Sequence, residues 1–199
     1  AEFDLFNNWV DHYIYQQRTG ADVFQDEDSG GPLACNGSQP ADAGCQAVLQ
    51  SRQAGAVFRG YESKLIFSLS KNPDGLIDLT LFSDYTRGKF MNGGDVPRMP
   101  PLRFGFQLDY TRHQLTSNLR LTRGETQSHP GLNETPTNSY VLLNLGMQYK
   151  VKTFQGAEMI LFAKANNLLN ENIRNSVSYL RNFSPEQGRS AQVGIRITF

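Results

Sequence analysis

The chain has no apolar run approaching the roughly 18–20 residues that a transmembrane helix needs, so a helical membrane protein is excluded. It has no excess of charge of either sign: 19 basic and 19 acidic side chains give a formal net charge of zero. Without a basic stripe, a nucleic-acid partner is excluded. There are only two cysteines, three histidines and one tryptophan, too few for a disulfide scaffold or a thiolate metal cluster. No P-loop, nucleophile elbow or metalloprotease motif occurs, and no catalytic step is implied. Apolar residues make up 39% of the chain, below the roughly 45–50% of ordinary globular domains. No signal peptide opens it. The first residues, AEFDLFNNW, read as strand already under way, the expectation for a processed chain or a piece of a longer one.

Aromatics, in contrast, are plentiful, with 13 Phe and 8 Tyr. They fall within segments that alternate with period 2, the spacing of a strand with two different faces. In the last segment Ala191, Val193, Ile195, Ile197 and Phe199 oppose Ser190, Gln192, Gly194, Arg196 and Thr198. In another, Leu102, Phe104, Phe106, Leu108 and Tyr110 oppose Arg103, Gly105, Gln107, Asp109 and Thr111. About eight strands are expected, near 3–15, 55–69, 76–87, 102–111, 115–124, 139–149, 157–166 and 189–199. The seventh has no clear phase, because Met159, Ile160, Leu161 and Phe162 are all apolar.

The connections alternate strictly. Tight turns are expected at Lys71–Gly75, near 112–114 and near 152–156. Long loops are expected at about 16–52, 88–101, 125–137 and 167–187. A sandwich has no reason to place every long loop at one end, whereas outer-membrane barrels have short periplasmic turns and long extracellular loops. The fold class expected is therefore an all-β antiparallel transmembrane β-barrel, apolar toward lipid and polar toward a wet lumen, with a periplasmic C-terminus. Tyr13, Tyr15, Tyr85, Tyr110 and Tyr149 are expected as interfacial anchors. Cys35 and Cys45 flank a stretch of turn formers with no His or further Cys within ten residues. A local disulfide in an oxidising compartment is expected in preference to a metal site.

Several segments in order carry a family resemblance: FNNWVDHYIY (6–15), AVFRGYESKLIF (56–67), FSDYTRGKF (82–90), VPRMPPLRFGFQLDY (96–110), NETPTNSYVLLNLGMQYK (133–150), and the closing stretch with Asn166, Asn167, Leu168, Asn170, Pro185, Gly188, Arg189 and Phe199. The chain resembles the C-terminal barrel part of TonB-dependent outer-membrane receptors. Its NNLLN and GRS segments are most similar to the zinc-uptake branch. The resemblance implies TonB-driven import through a barrel of about 22 strands, of which residues 1–199 would be roughly the last third, in the Gram-negative outer membrane. The plug domain and TonB box have no counterpart here. The alternatives are a receptor for haem or a metal chelate, or a small stand-alone structural or adhesive barrel.

Zinc, as cargo, takes imidazole and carboxylate ligands. The candidates are His12 beside Asp11, and His129 with Glu134 and Glu125 near it in sequence; His113 reads as solvated. The acidic run Asp26-Glu27-Asp28 is a candidate cation attractor. Glu62, Asp78, Asp84, Asp109 and Arg120 occupy polar phases and are expected to face the lumen. Phe199 resembles the signal by which the barrel-assembly machinery recognises its clients. The remaining partners implied are outer-membrane lipid and the TonB complex, reached through the plug.

Overall fold

The computed structural model describes residues 1–25, 31–35, 44–72, 75–152 and 157–198. Phe199, the run Asp26-Glu27-Asp28 and the Pro73–Asp74 turn lie outside them. The described residues contain no helix and nine strands: β1 (Glu2–Gln25), β2 (Pro32–Ala34), β3 (Gln46–Asn72), β4 (Gly75–Phe90), β5 (Arg103–Arg112), β6 (Leu115–Gly124), β7 (Tyr140–Lys152), β8 (Glu158–Asn166) and β9 (Ser190–Thr198). They form one antiparallel sheet in the order β2-β1-β3-β4-β5-β6-β7-β8-β9. From β3 onward each strand pairs with the next, so every long connection leaves from the same end.

The ninth strand and the true length of the first hairpin differ from expectation. Residues 16–25 and 46–54, expected within a loop, continue β1 and β3 as a two-stranded arm, paired as far as Val23 opposite Gln46. The arm rises beyond the end of β4, where Phe90 faces Ala56. Neither face of it is uniformly apolar, so it leaves no period-2 signal, and backbone pairing alone sustains it. Near its tip β2 adds to the other edge of β1, with Cys35 N donating to Asp22 O at 2.8 Å.

Residues directly opposite one another across a ladder share a face, so the register assigns every strand. One face carries Phe3 and Leu5; Val57, Leu65 and Phe67; Leu79 and Leu81; Phe104, Phe106 and Leu108; Leu119 and Leu121; Leu143, Leu145 and Met147; Met159 and Leu161; and Val193, Ile195 and Ile197. Leu5 is 78% and Val193 80% exposed, so no protein layer covers this face. The register also gives β8 its phase: Met159 and Leu161 lie on the apolar face, Ile160, Phe162 and Lys164 on the other.

A bulge breaks the parity of β1. Register shifts between Val10 and Tyr13, and His12 takes φ 55° there. The extra residue turns every later side chain to the opposite face. Tyr13 and Tyr15 consequently lie on the polar face, Tyr13 against Phe58 (centroids 5.1 Å apart) and Tyr15 against Phe90 (4.4 Å). They are not anchors on the apolar face, whereas Tyr85, Tyr110 and Tyr149 do lie there.

On the polar face five glycines each stand directly opposite an aromatic residue: Gly60 and Phe6, Gly88 and Phe58, Gly105 and Phe82, Gly124 and Tyr140, Gly194 and Phe162. In each pair the ring lies where the glycine's Cβ would be. The rings thus cover exposed backbone where a side chain is missing. At Gly60 a Cβ would also strike the Tyr85 carbonyl oxygen of the next strand.

Candidate functional site

Two groups of polar residues are positioned by this architecture, one on the polar face of the sheet and one among the long connections. On the sheet, the five residues expected to share a face do so. Register places Asp4, Glu62, Asp84 and Arg103 in one row across β1, β3, β4 and β5. A second row runs Ser68, Asp78, Asp109 and Asn118. Arg103 forks onto Asp84, its Nε 3.0 Å from both carboxylate oxygens. Arg120 Nη1 donates to Gln107 Oε1 at 3.0 Å, Gln107 Nε2 donates to both Asp109 oxygens at 2.9 Å, and Ser68 Oγ donates to Asp78 Oδ1 at 2.8 Å. The Arg120 guanidinium also sits 3.8 Å over the Phe82 ring. Bidentate and stacked contacts of this kind fix a guanidinium in place. The face is therefore an ordered, hydrogen-bonded polar surface rather than a set of loose charges. A hollow of about 370 Å³ lies over Glu2, Asp4, Glu62, Lys64, Asp84 and Arg103.

The second group centres on Glu134. Its Oε2 accepts from the backbone amides of Gly131 (3.0 Å) and Arg98 (3.1 Å). Its Oε1 is 3.4 Å from Arg181 Nη2 and 4.0 Å from Arg98 Nη1. Arg181 is 6% exposed and donates from Nη1 to Ser176 O at 2.9 Å. One carboxylate thus ties together the connections β4–β5, β6–β7 and β8–β9. Ser176 Oγ and Gln127 Nε2 add bonds to Met99 O at 2.9 and 2.8 Å. The arm is held to this cap by Arg98 Nη1 donating to Gln16 O (3.2 Å) and Asn133 Nδ2 donating to Arg18 O (2.7 Å). Between arm and cap lies a cavity of about 420 Å³, lined by Arg18, Leu49, Arg98, Tyr179, Leu180 and Arg181 among others. The Arg98 guanidinium stacks 4.1 Å from the Tyr179 ring centroid.

The candidate metal ligands are not brought together. Among the described residues no three His, Cys, Asp or Glu side chains are placed to hold a metal ion. Glu134 already receives two amides and two guanidinium groups, which explains its position without a metal. His129 meets only local partners, with Nδ1 3.2 Å from Ser128 Oγ and its amide donating to Gln127 Oε1. His12 occupies the β1 bulge next to Asp11, and both are exposed. His113 opens the two-residue turn between β5 and β6 with φ 51°. Cys35 and Cys45 are joined, with Cα atoms 6.3 Å apart.

Arg98 and Arg181 carry most of the cap and had no signal in the sequence, being single arginines in aperiodic loops. Asn167 had one, in its NNLLN stretch. It is 2% exposed with φ 49°; its Nδ2 donates to Glu171 O and Gln187 O, and its Oδ1 accepts from Glu171 N. It closes the β8–β9 connection on itself.

Residues 1–168 match a family model described as TonB dependent receptor-like, beta-barrel. No curated protein matches the chain significantly. Among solved structures the fold is similar to that of a protein titled "Copper transporter OprC", with a TM-score of 0.66 and 15% identity. That likeness shows the fold, and it covers 97% of this chain but only 28% of the transporter.

Proposed function

The chain belongs to the TonB-dependent receptor β-barrel family, an outer-membrane family, and from that premise we propose that it forms part of the wall of a receptor that imports a metal in ionic or chelated form. The observation that carries this reading is the division of the whole sheet into one uncovered apolar face and one ordered polar face. Such a sheet has its apolar face on lipid and its polar face on the lumen. The edges formed by β9 and by β1 with β2 are not paired to each other. Open edges are not tolerated in hydrocarbon, so further strands continue the barrel on both sides. That argues against the small closed barrel. The long connections and the arm lie outside the cell and the tight turns in the periplasm, where TonB supplies energy. The barrel-assembly machinery is the proposed route of insertion, with Phe199 in its signal.

Zinc is the proposed cargo, on the resemblance of the closing segments to zinc-uptake receptors. Copper is the second reading, favoured by the function printed for the structural relative. The cargo's ligands come in part from outside this chain, since none of its described residues form a complete site. The test is metal accumulation under scarcity in cells lacking the parent gene. Restoring the full-length receptor is expected to restore zinc content, and removing TonB to abolish the gain. Restoration of copper or haem alone would move the reading to that cargo, and an effect independent of TonB would sink it.

A further inference from the structure

On the apolar face β4 presents Ile77, Leu79, Leu81, Ser83, Tyr85, Arg87 and Lys89, from the tight-turn end to the long-connection end. Ile77 to Tyr85 covers about 27 Å of strand at roughly 3.4 Å per residue, or about 20 Å of height at a tilt near 40–45°. That nearly fills the apolar band of about 25 Å typical of outer-membrane barrels, so Tyr85 lies in the aromatic girdle and Arg87 and Lys89 at the head-group level. Tyr61 stands beside Tyr85 as its cross-strand partner, and Trp9, outward of them, is 64% exposed on the same face.

Arg87 has Arg59 directly opposite it on β3. Side chains so placed begin about 4.5–5.5 Å apart at Cβ, and like charges there repel. Local groups relieve this only in part. Arg87 Nη2 is 3.2 Å from Asp95 Oδ1, but Arg59 Nε donates to a neutral acceptor, Asn7 Oδ1, at 3.1 Å. Three cations, Arg59, Arg87 and Lys89, thus line with Leu5, Tyr61 and Tyr85 a depression of about 810 Å³ on the lipid side of the wall. An anion between the two guanidinium groups converts their repulsion into two charge-assisted contacts. Leu5 and Phe3 continue the apolar strip inward from it, along the path of an acyl chain.

We propose that this depression docks the phosphate-bearing head group of an outer-leaflet lipid. The proposal rests on the outward orientation of the long connections given above. Charge complementarity selects the occupant: guanidinium pairs suit phosphate bidentately, and basic pockets between membrane segments hold anionic head groups. The girdle tyrosines below the cations hold the site at the depth where such phosphates lie.

The test uses the full-length receptor, delipidated in detergent and offered lipid A or phosphatidylglycerol in a phosphatidylcholine background, with retained lipid counted by native mass spectrometry. Wild type is expected to retain lipid A in preference to phosphatidylglycerol. The triple variant Arg59→Gln, Arg87→Gln, Lys89→Gln is expected to lose about a hundredfold in lipid A retention, roughly fivefold per cation. The charge-conserving Arg59→Lys, Arg87→Lys variant reports whether folding alone is at fault and is expected to keep most of the retention. Undiminished lipid A on the triple variant, or equal retention of both lipids, overturns the proposal. A membrane-impermeant maleimide applied to intact cells carrying Leu132→Cys reports orientation separately. Labelling beside undiminished lipid retention in the triple variant removes the docking site and leaves the uptake reading standing; no labelling removes the orientation on which both depend.

Discussion

At the scale of the residue, Glu134 shows how a carboxylate in a loop is explained by what surrounds it. The sequence offers an acidic residue a few positions from a histidine, a pairing that suggests metal. The structure instead surrounds it with two amides, and with Arg98 and an Arg181 that is 6% exposed. Removing the charge leaves a buried guanidinium unpaired, which costs about 3–5 kcal/mol. In the Glu134→Gln receptor, hydrogen exchange at the amides of Gly131 and Arg98 is expected to rise by at least about a hundredfold, since each 1.4 kcal/mol is a factor of ten. Adding Arg181→Met, which removes the orphaned charge, is expected to recover much of that protection. Unchanged exchange in the single variant would mean that Glu134 does not tie the connections together.

At the scale of the element, legibility follows the contrast between faces. Strands β4, β5, β6 and β9 could be read because leucines and phenylalanines alternate with Asp, Gln, Arg and Thr along them. The arm could not, because both its faces are wet and only main-chain bonds define it. Nor could β8's phase: Phe162 lies on the polar face to cover Gly194, so an apolar residue stands where alternation calls for a polar one. The β1 bulge was hidden for a related reason. Tyr13 and Tyr15 keep the parity of Trp9 in sequence, and only the extra residue at His12 sends them to the other face. Deleting His12 is expected to reverse the faces of the arm beyond it and to separate Tyr15 from Phe90. Trypsin is then expected to cut at Arg18 or Arg52 in the folded receptor, while the barrel keeps its heat-modifiable mobility on gels. An arm as resistant as that of the wild type would contradict the assigned bulge.

At the scale of the whole molecule, the strict alternation of long and short connections carried the fold class, because it constrains all strands together where any one alone was ambiguous. The cap was not legible at this scale either. It depends on single arginines and asparagines with φ near 50–60°, Arg98, Asn133 and Asn170 among them, which meet only after the sheet has formed. Every functional reading above, from the polar rows to the lipid site, depends on the sheet being a membrane wall with lipid on one side and water on the other. The most direct measurement is a nitroxide scan through β4, residues 77 to 85, in the full-length receptor reconstituted in vesicles, with oxygen and a water-soluble nickel chelate as relaxing agents. Positions 77, 79, 81, 83 and 85 are predicted to respond to oxygen, and 78, 80, 82 and 84 to respond far less to it, in strict alternation. A profile without that period, or with both series equally open to the aqueous agent, would contradict the account.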